Sequence, residues 1–202
     1  MIEPNDFLGG KTLNLHYPLS KRAILFISMK DWDGQALRLE VEFLKKLMEN
    51  VFTIPPPPEQ NKNKKFLKKL TELNNQLNKM TEFGTIFIFL EGRRGGNVYV
   101  GQASKLTRVN DWNFDEPGWN SFEEVFVFSI EGEQMSLNLR TAIEAKLLKF
   151  LMNSTEFTLL NDKAESEDKL RYAEFQLKEP EVVRFYDKIK TILHCLDISL
   201  LE

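Results

Sequence analysis

The stretch NVYVGQASKLTR, residues 97 to 108, sets a tyrosine, a glycine and an arginine within a dozen positions. In an extended strand Val98 and Val100 face one side and Tyr99 the other, because side chains alternate with period two, so the phenol is free to leave the core. Gly101 follows where a Cβ would obstruct the close approach of a phosphate backbone. Arg108, about two helical turns further on, returns its guanidinium to the same mouth. A planar cation with several donors suits a phosphate whose negative charge grows during displacement. The same dozen residues also read as an edge strand that turns into a helix.

The rest of the chain narrows the chemistry. The single Cys195 excludes an internal disulfide, and His16 and His194 lie too far apart in the chain to write a zinc cluster. Any metal would be held by oxygen ligands, which makes Mg²⁺ or Mn²⁺ the expected ion. A net charge of -3 does not advertise nucleic-acid binding. The charge is uneven, however: Lys62, Lys64, Lys65, Lys68, Lys69 and Lys79 stand against Glu72 alone, a local balance of +5. That run is either a face for a polyanion or a solvated helix surface. No apolar run approaches the roughly 18 residues of a membrane-spanning helix. The opening MIEPNDFLGG lacks the layout of a signal peptide, so a cytoplasmic protein without a membrane partner is expected.

The elements that must position these residues follow from periodicity and punctuation. Residues 23 to 29 read as a buried strand and 35 to 50 as an amphipathic helix. Four prolines make 53 to 64 a linker or projecting loop, followed by a helix over 65 to 80. TIFIFLE at 85 to 91 is a strand, GRRGGN a hairpin turn, and VYVG the returning antiparallel strand. Residues 103 to 109 start a helix and NDWNFDEPGW is a loop. EEVFVFSI at 123 to 130 is a third strand. Ser136 is the N-cap of a long helix through Met152, and 180 to 196 form a last amphipathic helix after an acidic stretch. The fold class is α+β: a small three-stranded antiparallel sheet flanked by helices. It occupies residues 83–162, behind an N-terminal α/β extension over 1–80 and ahead of a C-terminal helical tail over 163–202.

TIF at 85 to 87, eleven intervening residues and YVG at 99 to 101 together resemble the paired signature of the GIY-YIG nuclease superfamily. The third strand and AIEAKLL in the long helix fall where that family expects them. Glu144 takes the position of its single metal-binding glutamate. Asn161 lies where the nuclease subunit of bacterial excision repair has an asparagine. The resemblance covers about residues 83–162 and implies a metal-dependent DNA endonuclease, of restriction, defence or mobile-element type. In that picture Glu144 holds Mg²⁺ or Mn²⁺, Tyr99 relays a proton from the attacking water, and Arg108 stabilises the pentacoordinate phosphorus. Gly101, Gln102, Lys105, Arg140 and Asn161 become candidates for substrate contacts, DNA the partner, and a homodimer an open option.

Two departures stand out. Phe87 replaces the first motif tyrosine, so one hydroxyl is missing. Arg108 follows Gly101 by seven positions where eight is common, and no histidine directly follows it in the motif. Two other functions therefore stay open: a non-cleaving nucleic-acid-binding module of the same fold, and a protein-interaction domain using the helices at 35–50 and 180–196.

Overall fold

The structure, a computed structural model of the chain, describes residues 13–16, 24–30, 32–50, 54, 64–105, 118–130 and 135–201. Seven strands, β1 (Leu13–His16), β2 (Ile24–Met29), β3 (Gly34–Glu40), β4 (Thr85–Leu90), β5 (Gly96–Ala103), β6 (Glu124–Ile130) and β7 (Phe157–Leu159), form one sheet. Their spatial order is β1-β2-β3-β6-β4-β5-β7. Every neighbouring pair is antiparallel except β5 and β7, which run parallel. Among the described residues five α-helices accompany it: α1 (Val41–Glu49), α2 (Lys64–Glu82), α3 (Leu137–Leu151), α4 (Lys163–Ala173) and α5 (Pro180–Cys195). The class is α+β. None of the described helices is long and apolar enough to cross a membrane.

Alternation along the strands divides the core in two. On β4, Ile86, Ile88 and Leu90 enter the core shared with α3 and α5, while Phe87 and Phe89 enter the core shared with α1 and α2. All six residues of β4 are buried, which is why this strand reads as a continuous apolar run. The helices supply matching stripes. Leu70, Leu73, Leu77 and Met80 on α2 recur at three- and four-residue steps and lie in one core. Val182, Phe185, Tyr186, Ile189 and Leu193 on α5 do the same in the other.

Two expectations need correction. The three antiparallel strands β6, β4 and β5 are present, but they are the middle of a larger sheet. β3 pairs with β6 over seven residue pairs, from Gly34 with Ile130 to Glu40 with Glu124. The line drawn between residues 80 and 83 therefore crosses continuous pairing. The second correction explains the first, because residues 35 to 50 are not one helix. Gln35, Ala36, Leu37, Arg38, Leu39 and Glu40 include strong helix formers, yet pairing with β2 on one side and β6 on the other fixes them as a strand. Leu37 and Leu39 enter one core and Ala36 the other, so a two-residue period was hidden inside an apolar spacing that also fits a helix. The helix begins only at Val41. The acidic stretch before α5 contains α4, and the three-residue β7 lies ahead of it. Of the proline-rich loop only Ile54 and Lys64 are described; the rest lies outside the described residues. Of the helix expected over 103–109, Ala103 ends β5 instead, Ser104 and Lys105 are not helical, and 106–109 lie outside the described residues.

Candidate active site

α3 is the element on which the site is built. Ser136 caps it by accepting from the Leu139 N–H at 3.2 Å. The sheet, α4 and α5 surround it, so that Arg140 and Glu144, one turn apart, are both buried. Charged side chains in such a place must be paired or they are costly. Arg140 is paired: Nη1 donates to the Met135 carbonyl at 2.6 Å and Nε to Gln102 Oε1 at 3.1 Å. Gly84 has no side chain because one would run into that guanidinium. Gln102 in turn donates from Nε2 to Thr141 Oγ1 at 2.9 Å. Gln102 and Arg140 thus stitch β5 to the start of α3.

Glu144 is paired on one side only. With 1% of it exposed, its Oε1 accepts from Lys169 Nζ at 2.9 Å while its Oε2 meets no donor in good hydrogen-bond geometry among the described residues. Burial pushes its carboxyl above the ordinary value, and Lys169 and Gln102 pull back without cancelling the shift. Lys169, from α4, also meets Glu165 Oε1 at 2.8 Å. Burial lowers its ammonium, but hydrogen bonding and charge from Glu165 and Glu144 outweigh that and raise it.

Tyr99 stands on the opposite face from Val98 and Val100, as period two requires. Its ring packs 4.7 Å from that of Trp119 and is stacked on Phe87 at 6.3 Å. Burial raises the phenol pKa first; Lys169 lowers it, and Glu144 and Glu165 raise it. Tyr99 thus lies on the α1–α2 side of the sheet and α3, which carries Glu144, on the other, with the Glu144 charge still bearing on the phenol.

The remaining candidates have local tasks. β5 runs on past Gly101 to Ala103, and the missing side chain of Gly101 makes room for the Phe87 ring. Asn161 pairs its amide with both backbone groups of Val100, accepting from N–H at 3.0 Å and donating to C=O at 2.7 Å. It continues the β5–β7 pairing after Leu160, whose N–H donates to the Val98 carbonyl. Lys105 pairs with Glu82 at the end of α2 at 3.3 Å. Arg108 lies outside the described residues. The sequence reading missed Lys169, Glu165 and Trp119. The Glu165–Lys169 spacing marks a helical ion pair, but nothing in the sequence ties Lys169 to a glutamate 25 positions away.

A cavity of about 640 Å³ between α3 and α5, lined by Lys146, Lys149, Tyr186 and Ser199, shares no residue with this cluster. No group of three or more His, Cys, Asp or Glu side chains able to hold a metal occurs among the described residues, which leaves Glu144 as the carboxylate to consider. No protein-family model, curated protein or solved structure matches the chain.

Proposed function

We propose that the chain is a divalent-metal-dependent endonuclease that hydrolyses phosphodiester bonds in DNA, with Glu144 and Tyr99 at its centre. The observation that carries this reading is the state of Glu144. Glu124 also buries an oxygen without a donor, but two arginines balance its charge, whereas Glu144 has a single lysine and an Oε2 left to an outside partner. An oxygen-seeking cation at that atom removes the cost of burying it, and Mg²⁺ needs only one or two protein carboxylates, taking water and substrate phosphate at its other positions. The donor set therefore fits Mg²⁺ or Mn²⁺. When bound, such an ion supplies positive charge at the phosphate and at the leaving oxygen.

The chain's own residues do the rest. Tyr99, held neutral by burial, presents a phenol that both donates and accepts. In one concerted relay its oxygen would take the proton of the attacking water while its own proton passes to bulk solvent, so no net charge accumulates on the ring. Trp119 and Phe87 hold the ring in place. Gln102 and Arg140 keep α3, and hence Glu144, fixed against β5. Arg108 is assigned to the phosphate by the motif alone. The test is nicking of supercoiled plasmid with Mg²⁺ or Mn²⁺ against EDTA. Tyr99→Phe and Glu144→Gln should each reduce the metal-dependent rate by about 100-fold or more with unchanged thermal melts. Equal rates in all three proteins remove these residues from the mechanism.

A second reading, a DNA-binding module that has lost cleavage, draws on one observation: Lys169 already neutralises Glu144 from within the protein. DNA binding without nicking by any variant is its signature. The protein-interaction reading loses its surfaces, since the apolar stripes of α1 and α5 face the two cores.

A further inference from the structure

We propose that Lys169 is the resident counter-ion of the Glu144 site, and that a divalent ion enters by displacing it and so releases α4. The inference rests on the endonuclease reading above. Three features of α4 support it. The ammonium stands 2.9 Å from Glu144 Oε1, and a divalent ion at the unpartnered Oε2 would sit on the same carboxylate. Two cations on one carboxylate repel each other, so the doubly charged ion and Lys169 compete. Lys169 also has somewhere to go: Glu165, one turn earlier on the same helix and 2.8 Å away, is the favourable glutamate-before-lysine arrangement and keeps the ammonium solvated.

The third feature is how α4 is held: its backbone lies close along α3, yet few of its side chains are buried. Among its described side chains only Ser166 and Ala173 are buried, and Ser166 makes its hydrogen bond to the Asp162 carbonyl within the same helix. Tyr172 is 68% exposed, and Phe175 just beyond the helix is 88% exposed. A segment with so little apolar burial opens locally at small cost, and the Lys169–Glu144 pair is its one buried ionic tie to α3 among the described residues. Metal entry thus replaces an internal lock with an external ion, and the metal-free protein keeps its carboxylate covered.

Mn²⁺ titration followed by electron paramagnetic resonance, on wild type, Lys169→Gln and Glu144→Gln, tests the competition. Hydrogen exchange on wild type with and without saturating Mn²⁺ tests the release. Lys169→Gln should bind Mn²⁺ about tenfold more tightly or better, because the competing charge is gone, and Glu144→Gln should lose the site. In wild type, Mn²⁺ should speed exchange of amides in 163–173 while leaving α3 unchanged. If Lys169→Gln fails to fold, the wild-type exchange measurement decides by itself. Mn²⁺ bound at Glu144 with α4 exchange unchanged or slowed overturns the inference and leaves the endonuclease reading standing. No Mn²⁺ binding by any of the three proteins removes the metal site and the inference together.

Discussion

Glu144 is buried and Glu124 partly so, and their surroundings push them in opposite directions. Burial raises both carboxyls. At Glu124 it is outweighed by Arg38, whose Nη2 donates to Oε1, and by Arg93 at 3.0 Å, and the pKa falls below the ordinary 4.5. At Glu144 a single lysine does not outweigh it, and the pKa rises. The consequences for stability have opposite signs. A depressed carboxyl contributes stability that is present above its unfolded pKa and lost as pH falls through the folded one. A raised carboxyl instead withdraws stability as pH climbs from the unfolded to the folded value. Glu124→Gln should therefore cost about 3 kcal/mol at pH 7 by leaving Arg38 without its counter-charge, with the gap closing below the ordinary carboxylate range. Glu144→Gln should be as stable as wild type or more so at pH 7, and equal to it in acid. Urea melts across that range check both. A gap of the same sign for the two variants would mean that Glu144 is an ordinary structural ion pair.

Among the elements, β5, paired by β7 only as far as Val98, depends beyond it on a side chain standing in for a strand. β7 ends at Leu159, and Asn161 takes over the pairing at Val100. Asn74 on α2 treats Ile54 in the same way, at 2.9 and 3.2 Å. Asn161→Ala should thus cost about 2 kcal/mol, the usual penalty for orphaning partly buried backbone groups, and leave the salt dependence of DNA binding alone. A phosphate-contacting asparagine would show the reverse. α2 carries the other element-scale prediction. Lys64, Lys65 and Lys68 are exposed in its first turns, which hold no acidic residue, so cations gather at the end of the helix where its dipole is already positive. A bound polyanion would relieve that repulsion. Replacing the three by Gln should weaken DNA binding and flatten its dependence on log salt by up to about 0.9 per lost phosphate contact. An unchanged slope places the DNA elsewhere. These elements differed in how far they could be read beforehand. β6 showed through clean alternation, β4 as a continuous apolar run, β5 through the glycine-rich turn before it, and α3 through its serine cap. β3 was hidden by helix-forming residues, β7 by its brevity, and α4 by an acidic composition with almost no apolar stripe.

At the level of the whole molecule, one continuous sheet joins the N-terminal strands to those that carry the candidate site. Tyr99 and Glu144 could be singled out from motif spacing because a few chemistry-bearing residues sit at fixed intervals along the chain. Lys169 could not, because its partner is set by how α4 lies on α3, and no local pattern records that. Nor did any pattern announce that β3 would lie beside β6. A fragment of residues 83–202 should therefore be insoluble or associate, since it bares the edge of β6 and the apolar face otherwise covered by α1 and α2. Gel filtration of the fragment beside the full chain decides; a soluble, monomeric fragment with wild-type melting would show that the N-terminal strands are dispensable. The same pairing bears on how the protein is made. Arg38 and Glu124 meet across the β3–β6 pair although 86 positions separate them. A ribosome working from the N-terminus finishes β2 and β3 long before β6 exists, so the inner edge of that hairpin waits unpaired while about half of the chain is still being synthesised. During that interval the nascent chain offers an apolar strand edge to any neighbour, and the yield of folded protein should depend on elongation rate and on chaperones that cover it.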